Sequence, residues 1–463
     1  MKKLFLFYAV MPGLIFGQDI SGTWTGTLEV MGSSLRIVFN ISSENGQLKS
    51  TMDSPDQGAF GIPMDNTVFN GTMLKITALQ IMGEYEGVIS DSFNSFSGTW
   101  KQSGMKFPLN LKKTNESVTL QRPQHPQPPF PYEMKEVTFR NEKENITLCG
   151  TFTYPSQKEA FPAVVLISGS GKQNRDEEIL GHKPFLVIAD YLTRNGIGVL
   201  RFDDRGEGCS EGDFSTATSQ NFAQDVQAAV DFLKSQPAVI KDRIGLIGHS
   251  EGGLIAPMVA AADTSIYFIV LLAGPGTSGK EILIDQNELI LKSYAVPDEE
   301  IRKKQALNMD LYEMVINAKN IEKTKEKIEK RIFRQLKKEN SANLSDDILK
   351  KQAASQAEVL CSPWFRYFLT YQPATALSKV KCFVLALNGS LDLQVPADKN
   401  LSAIEKILKE SGNQKYTIKK FEGLNHLFQH ATTGSPAEYV KIEETFSPEV
   451  LEFMKDWMMS ILK

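Results

Sequence analysis

The chain has 463 residues, 41% apolar and 23% charged, with a formal net charge of -4. That balance excludes a largely disordered chain and a globally basic, nucleic-acid-binding one, and the length leaves room for two or three domains with buried cores. The four cysteines, Cys149, Cys209, Cys361 and Cys382, have spacings that match no zinc motif.

Lys2 and Lys3 precede an apolar stretch that closes with Phe16-Gly17. This is the pattern of a secretory signal peptide over 1–17, with cleavage expected after Gly17 and a secreted or periplasmic destination. A retained anchor is the alternative, although the stretch is short for a membrane span. No later segment is long and apolar enough to cross a bilayer, so no stable membrane insertion is expected after cleavage.

From 18 to 120 short alternating runs such as Thr23-Trp24-Thr25-Gly26-Thr27-Leu28-Glu29-Val30 and Leu35-Arg36-Ile37-Val38-Phe39-Asn40-Ile41 are separated by Gly, Asn and Asp turn signals. They predict a small antiparallel β-sandwich or barrel. Gly22-Thr23-Trp24 recurs as Gly98-Thr99-Trp100, and two like strands could close a barrel by lying side by side. The proline-rich segment over 121–131 predicts an extended linker and a domain boundary.

Beyond it the pattern becomes α/β. Ala163-Val164-Val165-Leu166-Ile167, Gly198-Val199-Leu200-Arg201-Phe202, Ile244-Gly245-Leu246-Ile247, Phe268-Ile269-Val270-Leu271-Leu272 and Cys382-Phe383-Val384-Leu385-Ala386-Leu387 read as strands buried on both faces of a mostly parallel sheet. Amphipathic helices, such as Phe222 to Leu233, lie between them. A charged helical insertion at about 276–375 is too long for an ordinary connection and predicts a helical cap over the sheet's carboxyl edge. Its lysines and arginines from Lys319 to Lys338 alternate with glutamates, as on a solvated helix face. Cys149 and Cys382 fall within apparent strands, where a buried free thiol is the commoner state.

Two pentapeptides match G-x-S-x-G, a pattern weak on its own. Gly248-His249-Ser250-Glu251-Gly252 follows an apolar strand and leads into a small-residue and apolar helix, the order that presents a serine oxygen as a nucleophile. Gly208-Cys209-Ser210-Glu211-Gly212 has no strand immediately before it and runs into a polar segment, so Ser210 is read as a loop residue. A serine nucleophile needs a base, and the base an orienting acid. Of five histidines, His426 lies just past the strand Tyr416 to Lys420; His125 is in the linker, and His249 should point away from the serine. Asp392 follows the strand ending at Leu387, whereas Asp398 is read as a helix cap. The order Ser250, Asp392, His426 is the one this architecture imposes. An oxyanion needs backbone donors, for which the N–H groups of Glu251 and of Ser170, in Ser168-Gly169-Ser170-Gly171, are the candidates.

With these features, and Arg201-Phe202-Asp203-Asp204-Arg205-Gly206-Glu207-Gly208-Cys209-Ser210, the chain from about Tyr132 to Lys463 resembles secreted bacterial serine esterases of the α/β-hydrolase superfamily. The usual His-Gly of the oxyanion strand stands here as Ser168-Gly169. The resemblance implies an α/β-hydrolase fold with a helical cap and an acyl-enzyme mechanism that needs no metal or organic cofactor. It also implies a small-molecule ester as substrate, of broad, short-chain acyl preference. The N-terminal domain lies outside it. Trp364, Phe365 and Phe368 are candidates for an acyl pocket, with plain core packing as the alternative. A serine peptidase of the same superfamily and a non-catalytic ligand-binding protein are the competing functions. Nothing in the chain points to nucleic acid as a partner, and the oligomeric state is left open.

Overall fold

The computed structural model describes residues 19–30, 33–44, 47–57, 59–102, 105–114, 122–339 and 345–463; the expected signal peptide at 1–17 lies outside them. The chain forms two compact units, Met1–Thr119 and Leu120–Lys463.

In the first unit the described strands make one ten-stranded antiparallel sheet. Strands Ala59–Pro63 and Asn66–Phe69 lie at opposite ends of its pairing path although only two residues separate them in sequence, so the sheet curls back on itself. This is a barrel-like solution, not two packed sheets. Alternation sends Trp24, Phe39, Tyr85, Phe96 and Trp100 inside, where the Trp24 and Phe96 rings stand 4.6 Å apart. The two Gly-Thr-Trp strands are not neighbours: Leu111–Thr114 pairs with Gly22–Val30 on one side and Ser95–Gln102 on the other. Like spelling reflected a shared need for a buried tryptophan, not adjacency.

The second unit is an eight-stranded sheet: β1 Glu133–Asn141, β2 Ile146–Tyr154, β3 Phe161–Ile167, β4 Gly198–Phe202, β5 Val239–His249, β6 Phe268–Leu272, β7 Phe383–Gly389 and β8 Tyr416–Phe421. The order is β1-β2-β4-β3-β5-β6-β7-β8, and only β2 runs against its neighbours. Period-two alternation along the apolar strands serves two cores. Ala163, Val165 and Ile167 face helices α2 (Ser219–Ser235), α3 (Glu251–Ala262) and α10 (Ala397–Glu410). Val164 and Leu166 face α1 (Pro184–Arg194) and α11 (Pro448–Ile461). Because β4 and β5 flank β3, the chain leaving β3 turns to one face of the sheet and the chain leaving β5 to the other. The crevice between them, at the strands' carboxyl ends, is a topological switch point where α/β folds bind ligands.

Between β6 and β7 five helices, α4 Gly279–Ser293, α5 Asp298–Ile316, α6 Ile321–Lys338, α7 Asp346–Cys361 and α8 Pro363–Thr370, form the insertion, followed by the short α9, Ala374–Leu377. They have their own core of Leu311, Tyr312, Val315, Ile328, Ile332 and Phe365. α6 buries only Ile328 and Ile332, and its charges pair with neighbours, as Arg331 does with Asp310 at 3.0 Å.

The proline segment is bonded to this unit: Arg122 donates to the carbonyls of Ile442 and Leu180, and Gln124 both donates to the Phe446 carbonyl and accepts the Phe446 N–H. One expectation fails. Cys149 is not a free thiol but is bonded to Cys209, while Cys361 and Cys382 are free. Sequence placed Cys149 correctly in a strand, but its partner sits in an irregular loop whose path no periodicity reports.

His182 is fully buried, its Nε2–H donating to the Tyr439 carbonyl at 2.9 Å and its Nδ1 facing the Thr445 hydroxyl at 3.1 Å. Burial, with Arg122 nearby, pushes this imidazole down to about 4 from the usual 6.5. A depressed histidine contributes stability that is present above pH 6.5 and lost as pH falls through 4, here about 3 kcal/mol. His182→Gln, which keeps one donor and one acceptor without titrating, should flatten the fall in urea stability between pH 7 and pH 4; an equal fall in both proteins would refute the assignment. The disulfide spans a sequence separation of 60, and tethering such a loop in the unfolded chain is worth about 4 kcal/mol. Cys209→Ser should therefore lower the urea midpoint in non-reducing buffer, and the difference should vanish when both proteins are reduced.

Candidate active site

The turn between β5 and α3 carries Ser250 at φ 51° and ψ -117°, a left-handed conformation that a non-glycine residue holds only under constraint. The constraint is visible in the flanking glycines. A Cβ on Gly248 would lie 2.0 Å from the Gly252 carbonyl oxygen, and one on Gly252 would lie 2.1 Å from that of Ile167. Only bare backbone allows strand, turn and helix to approach this closely. The Ser250 N–H is spent on the Leu272 carbonyl at 2.8 Å, anchoring the turn to β6. Glu251 opens α3, so its N–H is one of the four at a helix start without an intrahelical acceptor.

Asp392 and His426 come from the loops after β7 and β8. Asp392 Oδ1 accepts the N–H groups of Gln394 and Val395, each at 2.8 Å, and Oδ2 faces His426 Nδ1 at 2.8 Å. Both side chains are buried, that of Asp392 completely. A carboxylate fixed by two backbone donors imposes the Nδ1–H tautomer on His426, which leaves Nε2 with a lone pair. The His426 loop is stiffened in turn by Asn425, whose side-chain oxygen accepts the N–H groups of Leu427 and Gln429.

The loop after β3 closes the other side of the switch point. A Cβ on Gly169 would sit 3.2 Å from Ser250 Cβ, so this loop runs directly against the serine. Ser168 Oγ donates to Asp204 at 2.8 Å, Gly169 N–H donates to Glu177 at 2.6 Å, and Arg175 binds Asp203 through its backbone and guanidinium. Ser170, the expected second donor, is exposed and follows these anchored residues. Burial, with the charges of Glu251 and Glu177 adding to it, pushes Asp204 up to about 8. Asp203 and Asp204 precede the serine in sequence, and both anchor the loop after β3.

His249 has the role least evident from sequence. Its ring is bound into the site's framework: Nδ1 meets Glu177 Oε1 at 2.9 Å, Nε2 meets the His426 carbonyl at 3.0 Å, and the two imidazole rings stand 4.8 Å apart. Burial opposes charge on His249, but Glu177 overrides it and holds the imidazole above its usual range. Glu177 lies in an irregular loop at positive φ, with no motif to announce it.

The other candidates are placed by their contacts. Ser210 is buried, donates to the Asp203 carbonyl at 2.8 Å and accepts the Cys149 N–H at 3.0 Å, a structural loop residue. Asp398 does not cap α10 but pairs with Lys420 at 2.8 Å. His430 pairs with Glu444 on the surface. Trp364, Phe365 and Phe368, candidates for either a pocket or core packing, all make packing contacts. Phe365 lies in the cap core, and Phe368 joins Leu254, Ile282 and Val395 where cap meets α3. Trp364 stacks on Phe368 and donates its indole N–H to both carboxylate oxygens of Glu251, at 2.8 and 2.9 Å. Glu251 also accepts the Ser219 hydroxyl at 2.6 Å, and burial raises its pKa. Among the described residues no cluster of three or more His, Cys, Asp or Glu side chains is arranged to hold a metal ion, and no helix is long and apolar enough to cross a membrane.

This arrangement can be set beside known proteins. The family profile described as serine aminopeptidase, S33, matches residues 183–430, more than half of the chain. Esterase EstD of Thermotoga maritima is 24% identical over 441 residues, covering 91% of this chain and 93% of its own. Among solved structures, the hypothetical protein PA2218 of Pseudomonas aeruginosa aligns with a TM-score of 0.44 at 15% identity, over 75% of this chain and 99% of its own. The Pyrococcus furiosus esterase Pf2001 aligns with a TM-score of 0.42 at 16% identity, over 75% and 98%. The chain belongs to the serine aminopeptidase S33 family of α/β hydrolases.

Proposed function

We propose that the protein hydrolyses carboxylic esters by acyl transfer through Ser250. The observation that carries the reading is the buried Asp392–His426 pair at 2.8 Å, held at the sheet edge where the strained Ser250 turn stands. In this mechanism His426 Nε2 takes the Ser250 proton as Oγ attacks the carbonyl carbon. Asp392 stabilises the imidazolium, and the N–H groups of Glu251 and Ser170 receive the oxyanion. Collapse expels the alcohol with the proton from His426; water, deprotonated by the same base, then releases the acid.

Full-length similarity to a protein named an esterase supports ester over amide substrates. The tight packing of Leu254, Ile282, Phe368 and Val395 between cap and α3 supports a short acyl group. A second reading, peptide hydrolysis from a free amino end, has the family's own description in its favour. The Cys149–Cys209 bond supports export to an oxidising compartment, as does the signal-like start of the chain.

On p-nitrophenyl acetate, Ser250→Ala and His426→Ala should each lower kcat by about four to six orders of magnitude, and Asp392→Asn by two to four, with double variants no worse than the poorer single one. Ser210→Ala should keep kcat and lose only stability. If Ser250→Ala turned over normally, the assignment would fail; if the unaltered protein cleaved aminoacyl p-nitroanilides faster than a series of acyl esters, the peptidase reading would replace the esterase one. Gly169→Ala tests the oxyanion loop separately: its methyl group would crowd Ser250 Cβ and Glu177 Oε1, at 3.2 and 3.1 Å. A fall in kcat of about tenfold with an unchanged melting temperature is expected, and full activity would show that this loop does not set the serine's geometry.

A further inference from the structure

We infer that Glu177 and His249 form a positioning pair that holds the proposed base and the proposed oxyanion loop in register with Ser250. The inference rests on the acyl-transfer reading of the site and adds two residues to it, neither of which touches the reacting atoms.

The argument begins with hydrogen-bond bookkeeping. A peptide carbonyl only accepts, so the 3.0 Å contact with the His426 carbonyl requires a proton on His249 Nε2. On the other side of the ring, Nδ1 faces Glu177 Oε1, the same oxygen that accepts the Gly169 N–H at 2.6 Å. An ionised Glu177 can accept both, and His249 then donates from both nitrogens as an imidazolium. A neutral His249 facing an amide could satisfy the oxyanion loop or the base loop through Nδ1 and Nε2, but not both in this geometry.

Three chain segments far apart in sequence meet in this pair: the loop after β3 through Gly169, the nucleophile turn through His249 itself, and the base loop through the His426 main chain. The first and third are irregular loops that follow strand ends, and the second is the junction of β5 and α3. The pair is almost wholly enclosed, with Glu177 5% and His249 7% exposed. Enclosing two charges is expensive, and apolar residues of like volume commonly stabilise a fold as well or better. Fold stability is thus a poor reason for a charged pair here, whereas directional bonds to two loops that must agree within a fraction of an ångström are something apolar packing does not supply.

The test uses the full chain and p-nitrophenyl acetate. E177Q keeps shape and removes the charge; H249Q replaces the imidazolium with a neutral amide and so removes one of the two donor nitrogens facing the loops. Each should lower kcat by about 10- to 100-fold with KM within about threefold and a melting temperature close to that of the unaltered protein. Because one bridge is broken in either case, the double variant should fall no more than about threefold below the poorer single variant. The inference is overturned if a folded single variant keeps kcat within about threefold of the unaltered protein, if the loss appears in KM instead, or if the two losses multiply. Should one of the variants not fold, the kcat of the other decides by the same threshold. Ser250→Ala measured alongside separates the two claims: turnover surviving in Ser250→Ala defeats the acyl-transfer reading, whereas an inactive Ser250→Ala beside a fully active E177Q defeats the positioning role alone.

Discussion

The carboxyl edge of this sheet is organised by the closeness of backbone to backbone around Ser250. Two glycines with no room for a methyl group let β5 turn into α3 across the end of β3, and that contact holds the serine in a conformation it would not adopt in a free peptide. The surrounding loops adapt to the turn. The β3 loop passes within van der Waals contact of the serine, the β7 loop supplies an acid fixed by its own backbone, and the β8 loop brings the histidine to that acid. Strain at one residue is borne by a framework of buried strands on both faces of the sheet.

Three carboxylates stand among the polar groups around the turn. Glu177, Asp204 and Glu251 surround the loop after β3 and the start of α3, and neutral or backbone donors answer most of them: Ser168, Gly169, Gln173, Ser219 and Trp364. Arginines are held one layer further out, on Asp203 and Asp225. Glu251 joins two functions mechanically. Its N–H is a proposed oxyanion donor, while its side chain is the point at which the cap is bonded to α3 through Trp364. A displacement of α8 would therefore pull on the first turn of the helix that follows Ser250.

What was legible in the sequence follows from which forces leave a periodic trace. Burial on both faces writes continuous apolar runs, and β3 to β7 could be read from them to within a few residues. The Ser250 turn was legible because a strand–turn–helix junction demands glycines at fixed offsets, and the Asp392–His426 pair because strand ends come in chain order. Contacts between irregular loops leave no such trace. Cys209, Glu177 and Asp204 act from loops, so the disulfide, the His249 partner and the anchor of the loop after β3 emerged only from the fold. The aromatic cluster at 364–368 was ambiguous in the sequence for a different reason: helical spacing marks a packed face equally well whether the space opposite is a ligand or more protein.

Two buried histidine–carboxylate pairs now stand side by side, and their chemistry differs through what faces the second nitrogen. In His249 that nitrogen is tied to a carbonyl, which can never receive a proton, so the ring is locked between two acceptors and suited to holding parts in place. In His426 the carboxylate takes Nδ1, and the main chain, not the second nitrogen, makes the contact with His249. In the proposed mechanism the ring thus keeps Nε2 for proton transfer while its backbone is held from behind. A base in that role must gain and lose a proton in each turnover and cannot also be fixed through that nitrogen; dividing the work between adjacent histidines would allow one to be rigid and the other to be reactive.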